Sequence, residues 1–274
     1  MKTSVSVFLS DILPDRRSFY NKIVKNDFFT KQTPKQGLTT LKQHGMDGIE
    51  ICLPQYSITS DEDVKNAKAI LDEVGLQTLS VHQALRFFTT TKIDEISRLF
   101  EIAAMFGAKV IVLHMNTAKK QIFDPKYVSA IHALEKEYGI VAAFENMEKH
   151  IASLFYEHRW QELKFSELVE KTDFHITFDI VHLAHSGGDI IEFYKKNRDR
   201  IVNIHLSDYK HNALNSSIRP MRYKHMPLGK GELPITDLLK VIRQDNYKGL
   251  ITMEIHGNLK DICNGAAEIN KAKS

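Results

Sequence analysis

Cysteine is nearly absent from this chain: only Cys52 and Cys263 occur in 274 residues, far apart in sequence. No disulfide framework is implied by them, and a reducing, cytoplasmic setting is expected. Charge of one sign is lacking too. Lys and Arg number 37 against 34 Asp and Glu, and the formal net charge of +3 does not by itself argue for nucleic acid or a membrane surface. There is no N-terminal apolar segment of signal-peptide type and no run of about 18 apolar residues, so neither export nor membrane insertion is expected. No Pro/Gly/Ser-rich linker or low-complexity stretch divides the chain, and residues 1–274 are read as one domain. With 43% hydrophobic and 26% charged residues, the composition is that of an ordinary globular protein with a large core. Histidine is what the chain has in excess. Thirteen are present, the first hint of site chemistry.

A phrase repeats along the chain. HGMDGIEICL at 44–53, VGLQTLSVHQ at 74–83, FGAKVIVLHM at 106–115 and YGIVAAFENM at 138–147 each place a Gly shortly before a β-branched or apolar run. Gly45, Gly75, Gly107 and Gly139 recur at intervals of about thirty residues, the length of one strand–helix unit. Each suits the residue after a helix, because Gly enters the left-handed conformation without a Cβ clash. Between them lie helical patterns. Ser60 caps an acidic first turn followed by Val64, Ala67, Ile70, Leu71 and Val74, and Ile93–Phe106 carries an apolar stripe at helical spacing. Strands are expected at Val5–Leu9, Gly48–Cys52, Thr78–His82, Val110–His114, Val141–Glu145, Ile176–Asp179, Val202–His205 and Ile251–Glu254, most of them apolar on both faces. Eight such units predict an α/β fold, a closed (β/α)8 TIM barrel, with Arg16–Lys35 as a long loop.

In such a barrel the C-terminal strand ends converge on one face, and reactive groups are placed there. The ends of six consecutive predicted strands read His82, His114, Glu145, Asp179, His205 and Glu254. Any one of them has an innocent explanation; the convergence of all six does not. Glu145, Asp179, His205 and Glu254 form a mostly hard, oxygen-rich donor set that suits one divalent ion such as Mn²⁺, Mg²⁺ or Co²⁺, and Zn²⁺ less exclusively. An ion held in this way can polarise a carbonyl while a carboxylate moves the α-proton.

Taken in order, GMDGIEI at 45–51, ENM at 145–147, FDIVHL at 178–183, HLSDYK at 205–210, HMPLGKGELP at 225–234 and MEIH at 253–256 resemble the xylose-isomerase-like barrels. That family includes sugar isomerases and epimerases and the endonuclease-IV-type AP endonucleases. The likeness runs over nearly the whole chain. It implies that Glu145, Asp179, His205 and Glu254 bind the shared metal, that Glu145 and Glu254 serve as acid and base, and that His182 contacts substrate. In the nuclease branch, positions matching His82, His114, His182 and His225 bind further zinc ions together with an Asp two residues before His225. Here that residue is Tyr223, which favours the sugar branch, although Asp208 could in principle substitute.

Lys210, Arg219, Arg222, Lys224 and Lys230 crowd the loop after the seventh strand and suit a sugar phosphate, or else form a solvated basic loop. His82, His114, His182, His225 and Arg222 are taken as substrate contacts. Arg86 could meet a hydroxyl or phosphate, and Trp160 with Phe155 and Tyr156 could wall the site. Glu50 is read as a polar core residue facing the metal, or a buried ion pair, and His175 and His211 as structural or solvated. The expected protein is a divalent-metal-dependent sugar or sugar-phosphate isomerase/epimerase acting on a small molecule. It is expected to have no membrane partner, with nucleic acid disfavoured and a homo-oligomer compatible. The alternatives are a zinc-cluster AP endonuclease and a metal-dependent dehydratase of a cyclic keto acid.

Overall fold

Eight parallel strands close on themselves in sequence order, from β1 to β8 and back to β1. The structure, a computed structural model, describes residues 1–13, 32–53, 59–83, 92–114, 124–146, 165, 170–211 and 225–273. The strands are β1 (Lys2–Phe8), β2 (Gly48–Cys52), β3 (Gln77–His82), β4 (Val110–His114), β5 (Val141–Glu145), β6 (His175–Asp179), β7 (Ile201–Leu206) and β8 (Leu250–Met253). The described helices are α1 (Leu9–Ile12), α2 (Pro34–Gln43), α3 (Asp61–Val74), α4 (Ile93–Phe106), α5 (Pro125–Tyr138), α6 (Ile180–His185), α7 (Ile190–Asn197), α8 (Ile235–Gln244) and α9 (Leu259–Lys273).

Local chemistry sets the boundaries. The Ser60 hydroxyl accepts a bond from the Asp63 N–H while the Asp63 carboxylate accepts one from the Ser60 N–H, so α3 starts in a capping box. At the other ends, Gly75 (φ 74°) and Gly107 (φ 78°) turn α3 and α4 out of the helix in the left-handed conformation, as their positions in the repeat predict. Several expected bounds move, among them the last strand, which ends at Met253 and not Glu254. The loop expected to run to Lys35 ends earlier, because Thr33 caps α2 in a second capping box and Pro34 occupies its first turn. Leu9 leaves the first strand to open α1. His175, left outside any element by the sequence, is the first residue of β6.

The expectation that most strands are apolar on both faces holds for β4 and β5 up to their last residues and is corrected for the others. Val5, Val7, Ile49, Ile51, Val81, Ile111, Phe144, Ile176, Phe178, Ile204 and Ile251 are buried in one core with helix residues such as Leu71, Leu99, Phe100, Ile131 and Leu238. The alternate residues are small or polar and equally buried: Ser4, Glu50, Ser80, Thr177, Asn203 and Thr252 are each 0% exposed. Glu50 on β2 meets Asn203 on β7 at 3.2 Å, although these strands are not neighbours in the barrel. Only a contact across the lumen can do this, so the polar set faces inward. Register then lines up the strand ends: Cys52 with His82, His114 with Glu145, and Asp179 with His205.

Candidate metal centre

The inward positions next toward the C-terminal face from Ser80, Ala143, Thr177, Asn203 and Thr252 are His82, Glu145, Asp179, His205 and Glu254, because side chains two apart share a face. Glu145 and Asp179 end their strands, His205 is the penultimate residue of β7, and Glu254 follows β8, its N–H bonding the Leu206 carbonyl at 3.3 Å. One ligand atom from each of Glu145, Asp179, His205 and Glu254 lies within 4.8 Å of all the others. His205 Nδ1 sits 3.0 Å from Glu145 Oε1, 2.9 Å from Glu254 Oε2 and 3.9 Å from Asp179 Oδ2. A single N–H cannot serve three acids.

The remainder is left unsatisfied. Glu145 Oε2, Asp179 Oδ2 and Glu254 Oε2 are buried oxygens that accept no well-aligned hydrogen bond, although His114 Nε2 and His205 Nδ1 stand close to the first and the last. Buried carboxylate oxygens without donors are costly, and a cation is the group that would repay them. The donors are three carboxylates and one imidazole, so the set fits a divalent ion with oxygen preference.

The electrostatics agree. Burial alone would strip His205 of its proton, but Glu50, Glu145 and Glu254 around it raise its pKa well above the ordinary histidine value. Burial opposes ionisation of Glu145 and Glu254, yet the His205 ring holds both below the usual carboxylate range. Asp179 goes the other way. Burial, with Glu145 and Glu254 adding to it, outweighs His182 and His225 and raises its pKa. His205 thus carries the charge that balances the acids.

Three more groups adjoin this one: Glu50 with His82 and His205, His82 and His114 with Glu145, and His182 and His225 with Asp179. His114 Nε2 lies 3.0 Å and His82 Nε2 3.4 Å from Glu145 Oε2. The His82 Nδ1 faces the Gln83 carbonyl at 2.7 Å, which leaves its Nε2 turned toward the acid. His182 Nδ1 faces the Asn146 carbonyl at 3.0 Å and stands 3.9 Å from Asp179 Oδ2. His225 has a left-handed backbone (φ 49°), unusual for a residue with a Cβ, and its Nδ1 is 3.2 Å from Ser207 Oγ and 3.9 Å from Asp179 Oδ2.

Asp208 does not join them. Its Oδ1 accepts the N–H groups of Tyr209 (2.8 Å) and Leu233 (3.1 Å), and its Oδ2 accepts that of Gly231 (2.7 Å). Asp208 therefore builds the HMPLGKGELP loop instead of replacing an aspartate at position 223. A Cβ on Gly231 would lie 2.3 Å from Asp208 Oδ1, so the loop closes only over glycine there.

Of the predicted site residues, the structure brings together Glu145, Asp179, His205, Glu254, His82, His114, His182 and His225. Arg222 lies outside the described residues, as do Tyr223, Arg219, Lys224, Arg86, Phe155, Tyr156 and Trp160. Lys210 and Lys230 are exposed. The sequence reading missed Gln83 and Asn146, which hold His114 and Asp179 through their amide groups, and Asn203, which donates to Glu50 beside His205. The alternation of polar with branched apolar residues, as in IVNIHL, was the signal for Asn203. Asn146 stood in the quoted ENM without a role.

Residues 38–272 match the family model described as xylose isomerase-like TIM barrel, and the chain belongs to that family. Among curated relatives it is 24% identical over 255 residues to an inosose dehydratase of Clostridium botulinum, covering 83% of this chain and 84% of that one. An inosose dehydratase of Clostridium perfringens is 26% identical over 260 residues, with the same coverage of 83% and 84%. Among solved structures, a D-tagatose 3-epimerase-like protein superposes with a TM-score of 0.70 at 20% identity, covering 100% of this chain and 97% of that one. The probable 3-DHS dehydratase AsbF of Bacillus anthracis gives 0.65 at 14% identity, covering 100% and 99%.

Proposed function

We propose that this chain is a divalent-metal-dependent sugar or sugar-phosphate isomerase/epimerase with Glu145 and Glu254 as its acid/base pair. The observation that carries this reading is the group of three buried carboxylate oxygens around His205 that accept no well-aligned hydrogen bond. Glu145, Asp179, His205 and Glu254 would hold the ion, which supplies Lewis acidity to a ketose carbonyl and orients its neighbouring hydroxyl. Glu145 and Glu254 come from β5 and β8, well separated in the barrel order, so they can address two faces of one carbon. In the metal-free site the His205 ring holds both carboxyls below the usual range, so the ionised form that accepts a proton is open to either. For inversion one of the two enters the step protonated from solvent: the ionised carboxylate takes the proton beside the carbonyl, and the protonated one delivers its own to the opposite face of that carbon. Return to the adjacent carbon gives isomerisation instead. His82, His114, His182, His225 and Arg222 are the proposed contacts to substrate hydroxyls or phosphate.

The inosose dehydratase relatives support a second reading, dehydration of a cyclic keto polyol. It begins with the same proton abstraction and continues with loss of a β-hydroxyl as water. One assay separates the two. The metal-loaded protein is incubated in D₂O with ketoses, their phosphates and inososes. Deuterium beside the carbonyl with an epimerised or isomerised product supports the first reading, and an unsaturated product supports the second. No exchange on any substrate counts against both. Metal content is measured alongside, because the flanking histidine groups could hold more ions: one ion per chain is expected, whereas three zinc ions with incision of abasic DNA would replace both readings.

A further inference from the structure

We propose that Glu50, behind the donor set, is the positioning residue of this site: it holds His205 by Nε2 and thereby aims Nδ1 at the metal position. The inference rests on the reading of His205 as a metal ligand. Glu50 lies on β2 and is fully buried, with its Oε1 3.2 Å and its Oε2 3.3 Å from His205 Nε2. Oε2 makes the hydrogen bond to this ring nitrogen, whose ring partner Nδ1 faces Glu145 and Glu254, and Oε1 lies beside it in charge contact without a well-aligned hydrogen bond. An imidazole that donates from Nε2 keeps its Nδ1 lone pair for a cation, and a carboxylate acceptor makes that lone pair more basic.

The way Glu50 is itself held argues against an ion pair that serves stability alone. Its Oε2 accepts from Ser80 Oγ at 2.7 Å and from Asn203 Nδ2 at 3.2 Å. Asn203 Oδ1 in turn accepts from Thr252 Oγ1 at 2.8 Å, and Thr252 meets Ser4 at 2.7 Å. A polar chain drawn from β1, β8, β7, β2 and β3 thus crosses a barrel interior that branched apolar residues usually fill, and it ends on one ligand. Replacing a buried ion pair by apolar residues is often neutral or stabilising, so stability does not require this layer. Orientation of His205 does. Burial opposes the charge on Glu50, and the His205 ring keeps its carboxyl below the ordinary value.

The test compares the full-length wild type with Glu50→Gln. A glutamine can still accept from Ser80 and Asn203, but its amide presents a donor to His205 Nε2. Mn²⁺ affinity is read by calorimetry, and the slowly exchanging His205 Nε2–H is read by NMR in the Zn²⁺-loaded protein. The expected result is a folded E50Q variant with Mn²⁺ affinity weakened about 10- to 100-fold, the range for loss of such an outer partner. Its downfield Nε2–H signal should be lost. Wild-type affinity with an unchanged signal overturns the inference. His205→Gln separates the two layers of the argument: if it binds Mn²⁺ as the wild type does, the ligand reading fails, whereas loss in H205Q without loss in E50Q fails Glu50 alone. Should E50Q not fold, Ser80→Ala takes its place. It leaves the carboxylate present but less held, and a several-fold loss of Mn²⁺ affinity is expected where an unchanged affinity overturns the proposal.

Discussion

At the scale of single residues, Glu145 is asked to be both ligand and acid/base group, and substitution can separate the two roles. Glu145→Gln keeps an oxygen for the ion and for His205 but cannot carry the proton. The variant should retain metal by elemental analysis while turnover falls about 10²- to 10⁴-fold, the usual contribution of general acid–base catalysis. Equal loss of metal and activity would reduce Glu145 to a ligand. Asn146 has a different duty. Its Oδ1 accepts the Asp179 N–H at 2.7 Å and its Nδ2 donates to the Asp179 carbonyl at 2.8 Å. Asn146→Ala leaves both buried backbone groups of a ligand residue unpaired. A loss of about 2 kcal/mol in denaturant unfolding is expected, with weaker metal binding, since each orphaned group costs roughly 1–3 kcal/mol. Position alone made Glu145 legible in the sequence, as a strand-end acid among strand-end acids. Asn146 was not, because an amide just past a strand carries no periodic signal and its partner lies 33 residues away.

At the scale of elements, the repeated Gly-then-strand phrase made the strand–helix units visible, and β2, β4 and β5 have the bounds the sequence predicts. Apart from the strand ends and Glu50, the residues that line the lumen were not legible, because short Ser and Thr side chains in branched runs look like surface or noise until strands are paired. Contacts between elements were equally hidden. On α5, His132 Nδ1 lies 2.6 Å from Glu135 Oε2, and its Nε2 reaches Asp173, just before β6, at 2.7 Å. Burial works against the His132 charge, but the hydrogen bonds to Glu135 and Asp173 outweigh it and raise its pKa. The linkage sign follows from that direction. A raised histidine contributes stability that is complete below the unfolded value near 6.5 and lost as pH climbs through the folded value. His132→Gln should therefore cost stability at pH 6 and little at pH 9. The cost should be a few tenths to about 1 kcal/mol, since both ends of the clamp meet solvent. Denaturant titrations at the two pH values check it, and an equal loss at both would assign the effect to packing.

At the scale of the whole molecule, the barrel gathers eight strand ends into one mouth and concentrates there acids that the fold alone leaves unsatisfied. A ligand that binds only the folded state adds RT ln(1 + [L]/Kd), about 2.7 kcal/mol at a hundredfold excess over Kd. For a chain of this size that is a rise in melting temperature of roughly 5–10 °C, so chelation should lower it by a similar amount. The shift should also depend on pH. Burial would lower the pKa of His82, but Glu145, Glu50 and Glu254 raise it to about 9, and His205 is raised as well. Without metal, those protons stabilise the fold fully below the unfolded value near 6.5, and that contribution is lost as pH rises through about 9. With metal the ion replaces the proton at its imidazole ligand, so the loss is reduced and binding tightens as protons become scarcer. The gap in melting temperature between Mn²⁺-loaded and chelator-treated protein should therefore widen from pH 6.5 to pH 9. A gap that stays constant, or narrows, would place the ion away from these histidines and remove the charge balance on which the site has been built.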